Sequence, residues 1–93
     1  MNQTRIERMR HCLQAEFSPS ELEIADESHR HVGHPGARDG RGHFRVRIVA
    51  EGFANLPMLA RHRRVYAALG NMMQTDIHAL SLDTRTPEEV NEN

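Results

Sequence analysis

The segment His43 to Ala50 constrains this chain most. Phe44, Val46 and Ile48 alternate strictly with Arg45 and Arg47, a period of two that fits an extended strand with one face buried and one in water. A strand needs partners, and two other segments offer them. Around residues 22–26, Leu22 and Ile24 share one face opposite Glu23 and Ala25; around 77–84, Leu80 and Leu82 do the same. The remaining apolar residues follow a different period. Ile6, Met9, Leu13 and Phe17 recur at helical spacing, so residues 4–17 are expected as an amphipathic helix, opened by Thr4-Arg5-Ile6-Glu7 as a capping box.

Ser18-Pro19-Ser20-Glu21 ends that helix and offers the same spacing for a single extra turn. Asn55 and Pro57 mark the start of a second helical region, with Leu59, Val65, Leu69, Met72 and Met73 at helical spacing across 57–74. The pattern fits one helix or two. Thr86-Pro87-Glu88-Glu89 repeats the capping signature and predicts a short C-terminal helix with a frayed end. Strands one and two can then pair antiparallel, while strands two and three, joined through helix, lie parallel by a right-handed crossover. The expectation is an α+β fold, a three-stranded mixed sheet covered by helices on one face. A chain of 93 residues buries only about 60–65% of its unfolded surface, which suits one domain over 1–93, with its core at about 4–90, and leaves little room for a deep enclosed pocket.

Charge narrows the function. Twelve Arg, no Lys and thirteen Asp plus Glu give a formal charge of -1, so no global positive field draws in nucleic acid or an anionic membrane. Any such contact must be a local patch. The single Cys12 excludes an internal disulfide and every metal motif needing two Cys from one chain, and points to a reducing, cytoplasmic address. The polar start and the lack of an apolar run of about 18 residues predict neither signal peptide nor membrane partner. Ser18, Ser20, Ser28 and Ser81 sit in no nucleophile elbow, and the glycines form no phosphate loop. With no converging acid, base and nucleophile, a stand-alone enzyme is not expected.

Three constellations could carry chemistry. Residues 27–42 hold Gly33, Pro35, Gly36, Gly40 and Gly42 among His29, His31, His34 and three Arg, a long connection of the kind that is often functional. Neutral imidazoles there could ligate a borderline or soft metal, although three on one irregular stretch fix no geometry by themselves. His78 shares parity with Leu80 and Leu82 and is expected on the core-facing side at the start of strand three; His43, on the opposite side from Phe44, is the weaker candidate. Arg61-His62-Arg63-Arg64 forms a cationic helical segment spread over about 300° of arc. Arg61, Arg63 and Arg64 are its candidate phosphate contacts, with no aromatic platform for stacking bases.

Taken together, Asp26-Glu27-Ser28 with His31, Gly42-His43-Phe44, Arg61-His62-Arg63 with Val65-Tyr66 and Leu69, and Ile77-His78-Ala79-Leu80-Ser81-Leu82 with Thr84 and Thr86-Pro87-Glu88-Glu89 resemble the BolA family. The resemblance covers about residues 4–90. It implies a class II KH-like fold in the order α-β-β-α-α-β-α, with residues 56–74 split into a short helix and a longer one. It implies a heterodimer with a monothiol glutaredoxin, sharing a [2Fe-2S] cluster whose remaining ligands come from a glutaredoxin Cys and a glutathione thiol. On this resemblance His78 is one ligand and His31 the other, with His34 as the alternative loop ligand. It also implies a DNA-binding role through the Arg61–Arg64 helix, which the absence of Lys and of a GxxG loop weakens. Alone, the chain is expected as a monomer or weak homodimer. Asn55 stands where the family usually has Gly, and Asn tolerates the left-handed turn required.

Overall fold

A computed structural model describes residues 2–28 and 41–91. The order is α1 (Asn2–Phe17), β1 (Glu21–Asp26), β2 (Gly42–Val49), a 3₁₀ turn (Glu51–Phe53), α2 (Met58–Leu69), α3 (Met72–Thr75), β3 (Ile77–Arg85) and α4 (Pro87–Val90). The three strands form one sheet with β2 in the centre. β1 pairs with it antiparallel and β3 parallel, as the alternating patterns predict.

Register lays the apolar residues in rows. Leu22, Ile48 and Thr84 stand side by side, then Ile24, Val46 and Leu82, then Asp26, Phe44 and Leu80. This face receives Met9, Leu13 and Phe17 from α1, Val65 and Leu69 from α2, Met72 from α3 and Phe53 from the 3₁₀ turn. Phe17 and Phe53 pack with ring centroids 4.9 Å apart. Each large side chain so enclosed contributes about 1.5–3 kcal/mol of hydrophobic stabilisation. The opposite face is charged: Arg47 lies between Glu23 and Asp83 in register and pairs with Glu21, Glu23 and Asp83.

Several boundaries differ from the sequence expectation. α1 begins at Asn2, so Thr4 lies inside the helix and cannot be its cap, a position that requires non-helical backbone. The extra turn at Ser18–Glu21 does not form. Ser18 takes φ 46° to close α1, its N–H donating to the Gln14 carbonyl at 3.0 Å, and β1 starts at once. The second helical region is two helices, the longer one first. Gly70 at φ 57° ends α2, with its N–H donating to the Tyr66 carbonyl at 3.0 Å. Asn55 adopts φ 64°, the left-handed turn expected of it. At Thr86 the capping box forms as read: its hydroxyl accepts from the Glu89 N–H at 3.1 Å while the Glu89 carboxylate accepts from the Thr86 N–H at 3.0 Å.

Candidate functional site

The start of β3 breaks the alternation that the sequence suggests. Gly42 pairs with Ile77 but His43 pairs with Ala79, so one step on β2 matches two on β3 and His78 is the extra residue. A bulge of this kind shifts parity. Ile77, 1% exposed, and Leu80 both join the core, while His78 is exposed beside His43. The core-facing position expected of His78 is therefore corrected: uniform pleating would have turned it inward, and the inserted residue turns it outward.

Around that imidazole the described residues build a small polar edge. The His43 and His78 ring centroids lie 5.0 Å apart at an interplanar angle of 48°. Arg41 places Nη2 3.1 Å from His78 Nδ1, and its Nη1 lies 3.5 Å from the Gln74 carbonyl oxygen. His43 is buried at 7% exposure. Its backbone N–H donates to Ser28 Oγ at 2.9 Å, and its carbonyl accepts from the Glu27 N–H at 2.8 Å. Ser28 in turn donates its N–H to Asp26 Oδ1 at 2.9 Å.

The root of β3 is held from below. The Gly42 N–H donates to the Asp76 carbonyl at 2.9 Å. The Asp76 side chain accepts from the Thr75 hydroxyl and from Arg5 Nε at 3.2 Å and Arg8 Nη1 at 3.3 Å on α1. The Thr75 hydrogen bond first, then the two guanidinium groups, hold this carboxyl below its ordinary range against the opposing effect of burial. Gly42 is required here by space. A Cβ at this position would lie 2.5 Å from Phe44 Cε2 and 3.1 Å from Ser28 Oγ.

Ser28 and Arg41, the described residues that flank the segment 29–40, contact His43 and His78 respectively. His31 and His34 lie outside the described residues. Among the described residues no group of three or more His, Cys, Asp or Glu converges as a metal site. An exposed imidazole at this edge can thus supply one ligand to a metal whose sphere is completed by other donors.

The cationic segment of α2 divides. Arg61 is 6% exposed and does not face solvent. Its Nε donates to the Leu56 carbonyl at 2.9 Å, Nη1 to the Thr84 carbonyl at 3.2 Å, and Nη1 and Nη2 reach the two Glu89 oxygens at 2.8 Å each. This corrects its expected place among phosphate contacts, because one side of its helix faces the junction of β3 and α4. Arg64 donates to the Gly52 carbonyl at 2.9 Å and to Glu16 Oε2 at 3.3 Å, with Cζ 5.1 Å from the Phe17 ring centroid. Arg63 is exposed, and no ion pair or hydrogen bond with another described residue engages it.

In the sequence Arg41 is one of three Arg in the 27–42 connection and His43 is the weaker candidate, so neither stands out there. The one local signal is Gly42 opening the strand, since a glycine within a strand often marks close approach by another group.

A family model described as BolA-like protein matches residues 13–89. The chain belongs to the BolA family. The chloroplastic protein BOLA1 of Arabidopsis thaliana is 43% identical over 90 residues, which cover 94% of this chain and 56% of that protein. This chain thus spans little more than half of that relative's length. The DNA-binding transcriptional regulator BolA of Escherichia coli (strain K12) is 40% identical over 83 residues, covering 89% of this chain and 76% of that protein. The solved BolA domain of SufE1 from Arabidopsis thaliana superposes with a TM-score of 0.81 at 39% identity, covering 91% of this chain and 94% of that one. Relatives in the BolA family include a chloroplastic protein and a bacterial one, so membership carries no compartment. No helix among the described residues is long and apolar enough to cross a membrane.

Proposed function

We propose that this member of the BolA family is an adaptor that pairs with a monothiol glutaredoxin and co-ligates a [2Fe-2S] cluster through His78 and a second imidazole from the 29–40 segment, His31 or alternatively His34. The observation that carries this reading is the bulge that turns His78 outward beside His43 and Arg41, the latter directly following that segment in the chain. In the sequence His31 follows Ser28 by only three residues, and Ser28 Oγ accepts from the His43 N–H. The donor set argues for a partner. The single Cys12 lies on α1, and thiolates for the remaining positions must come from another molecule. Imidazoles in place of two thiolates would leave a shared cluster with less negative charge and a higher potential, suited to transfer or sensing. His78 and the loop imidazole contribute neutral ring nitrogens, and the charged outer face of the sheet stays in water.

The test mixes the protein with a cluster-loaded monothiol glutaredoxin and follows visible absorption and circular dichroism. Wild type is expected to change both spectra, and His78→Ala to leave them as in the glutaredoxin alone. Unchanged spectra with wild type, or His78→Ala behaving like wild type, would sink the reading.

A second reading, DNA binding, is favoured by the name of the Escherichia coli relative. Here it would rest chiefly on Arg63, since Arg61 and Arg64 are engaged elsewhere. It predicts a salt-dependent mobility shift that Arg63→Glu abolishes.

A further inference from the structure

We propose that Arg41 guards His78: its guanidinium occupies the imidazole in the free protein, and must leave before either ring nitrogen can bind a metal. The inference rests on the reading of His78 as a ligand and adds the residue that sets how readily it becomes one. The geometry is the 3.1 Å approach of Arg41 Nη2 to His78 Nδ1. A guanidinium has donors only, so Nδ1 must accept. In the neutral ring, accepting at Nδ1 places the ring proton on Nε2.

Both routes to a metal then run against Arg41. Ligation through Nδ1 needs the lone pair that the guanidinium already engages. Ligation through Nε2 needs that nitrogen stripped of its proton, and the neutral ring then carries its proton on Nδ1, pointing at a guanidinium N–H that has no lone pair to receive it. A ligating imidazole ordinarily donates its second N–H to an acceptor; Arg41 offers none. The displaced guanidinium has a resting place nearby, since Nη1 already lies 3.5 Å from the Gln74 carbonyl oxygen. His43, packed 5.0 Å from His78 between centroids, limits where the ring itself can turn. Arg41 is thus a positioning residue whose removal makes His78 a better ligand.

The probe is aquapentaammineruthenium(II), which takes a single exposed imidazole and needs neither a glutaredoxin nor a second histidine. Labelling is mapped by mass spectrometry in wild type and Arg41→Met, with exposed His11 as the internal control. Loss of one competing hydrogen bond should speed labelling of His78 by about three- to ten-fold, with His11 unchanged. Equal His78 rates in the two proteins would overturn the proposal. A second readout needs no variant: long-range proton–nitrogen correlation spectra of wild type should show the His78 proton on Nε2, and a proton on Nδ1 would equally refute the guard. Should the ruthenium rates differ while His78→Ala leaves cluster uptake untouched, Arg41 guards the ring but the shared-cluster reading falls. If His78→Ala abolishes uptake while the rates are equal, the cluster reading stands and the guard falls.

Discussion

Two arginines on this molecule meet their partners in opposite ways. Arg61 is enclosed where α2, the end of β3 and α4 meet, and its donors are spent on two backbone carbonyls and both oxygens of Glu89. Arg41 stands at an exposed edge, with Nη2 at a His78 ring nitrogen and Nη1 near the Gln74 carbonyl oxygen. A charge that is desolvated and bonded on several sides is fixed, because removing any partner strands the others. A hydrogen bond at the surface can be exchanged for another partner at small cost. The cationic helix segment that looked like a binding surface is in large part a structural joint, and a histidine that looked like a core residue is exposed at the sheet edge.

The comparison breaks most visibly at the joint. Arg61→Met should lower unfolding free energy by about 2–3 kcal/mol, toward the low end for a broken buried pair because Glu89 is half-exposed and can regain water. Chemical denaturation measures this. His78→Ala should stay within about 0.5 kcal/mol of wild type in the same experiment, and a large loss there would erase the contrast between joint and edge.

Gly42→Ala comes next. Its Cβ would overlap the buried Phe44 ring, so a cost of about 1–3 kcal/mol is expected. The same displacement should disturb the Ser28 contact, read as a change in the His43 amide resonance. A melting temperature equal to wild type would show that the edge tolerates repacking and is less built than its contacts suggest.

The smallest effect is one of acidity. Hydrogen bonds from Arg61, then from the Thr86 N–H, pull the Glu89 carboxyl down to about 2. A carboxyl whose folded value lies below its unfolded value of about 4.3 stabilises the fold fully above the unfolded value and loses that contribution as pH falls toward the folded one. The stability difference between wild type and Glu89→Gln should therefore be constant near neutral pH and close between about pH 4 and pH 2. A difference independent of pH across that window would mean the ion pair does not form in solution.

Much of the scaffold was legible because periodicity reports burial directly. Phe44, Val46 and Ile48 could occupy only a half-buried strand, and the Thr86 to Glu89 capping box formed where its spacing placed it. Thr4 misled for a local reason: its spacing matches a cap, but nothing at Asn2 or Gln3 stops the helix from starting earlier. The candidate site was legible only in part. His78 was identified by its motif, yet its direction was misjudged, since a single unpaired residue reverses every parity argument beyond it.

By itself the sequence determined which segments are helix and strand, which faces are apolar, and that the chain brings one Cys and seven His to any chemistry, because those properties follow from residue type and spacing along the chain. Tertiary structure decided which charges are buried, that Arg41 and His43 meet His78, and that His78 faces outward. Those are contacts between residues distant along the chain, and register and packing set them, neither of which spacing encodes.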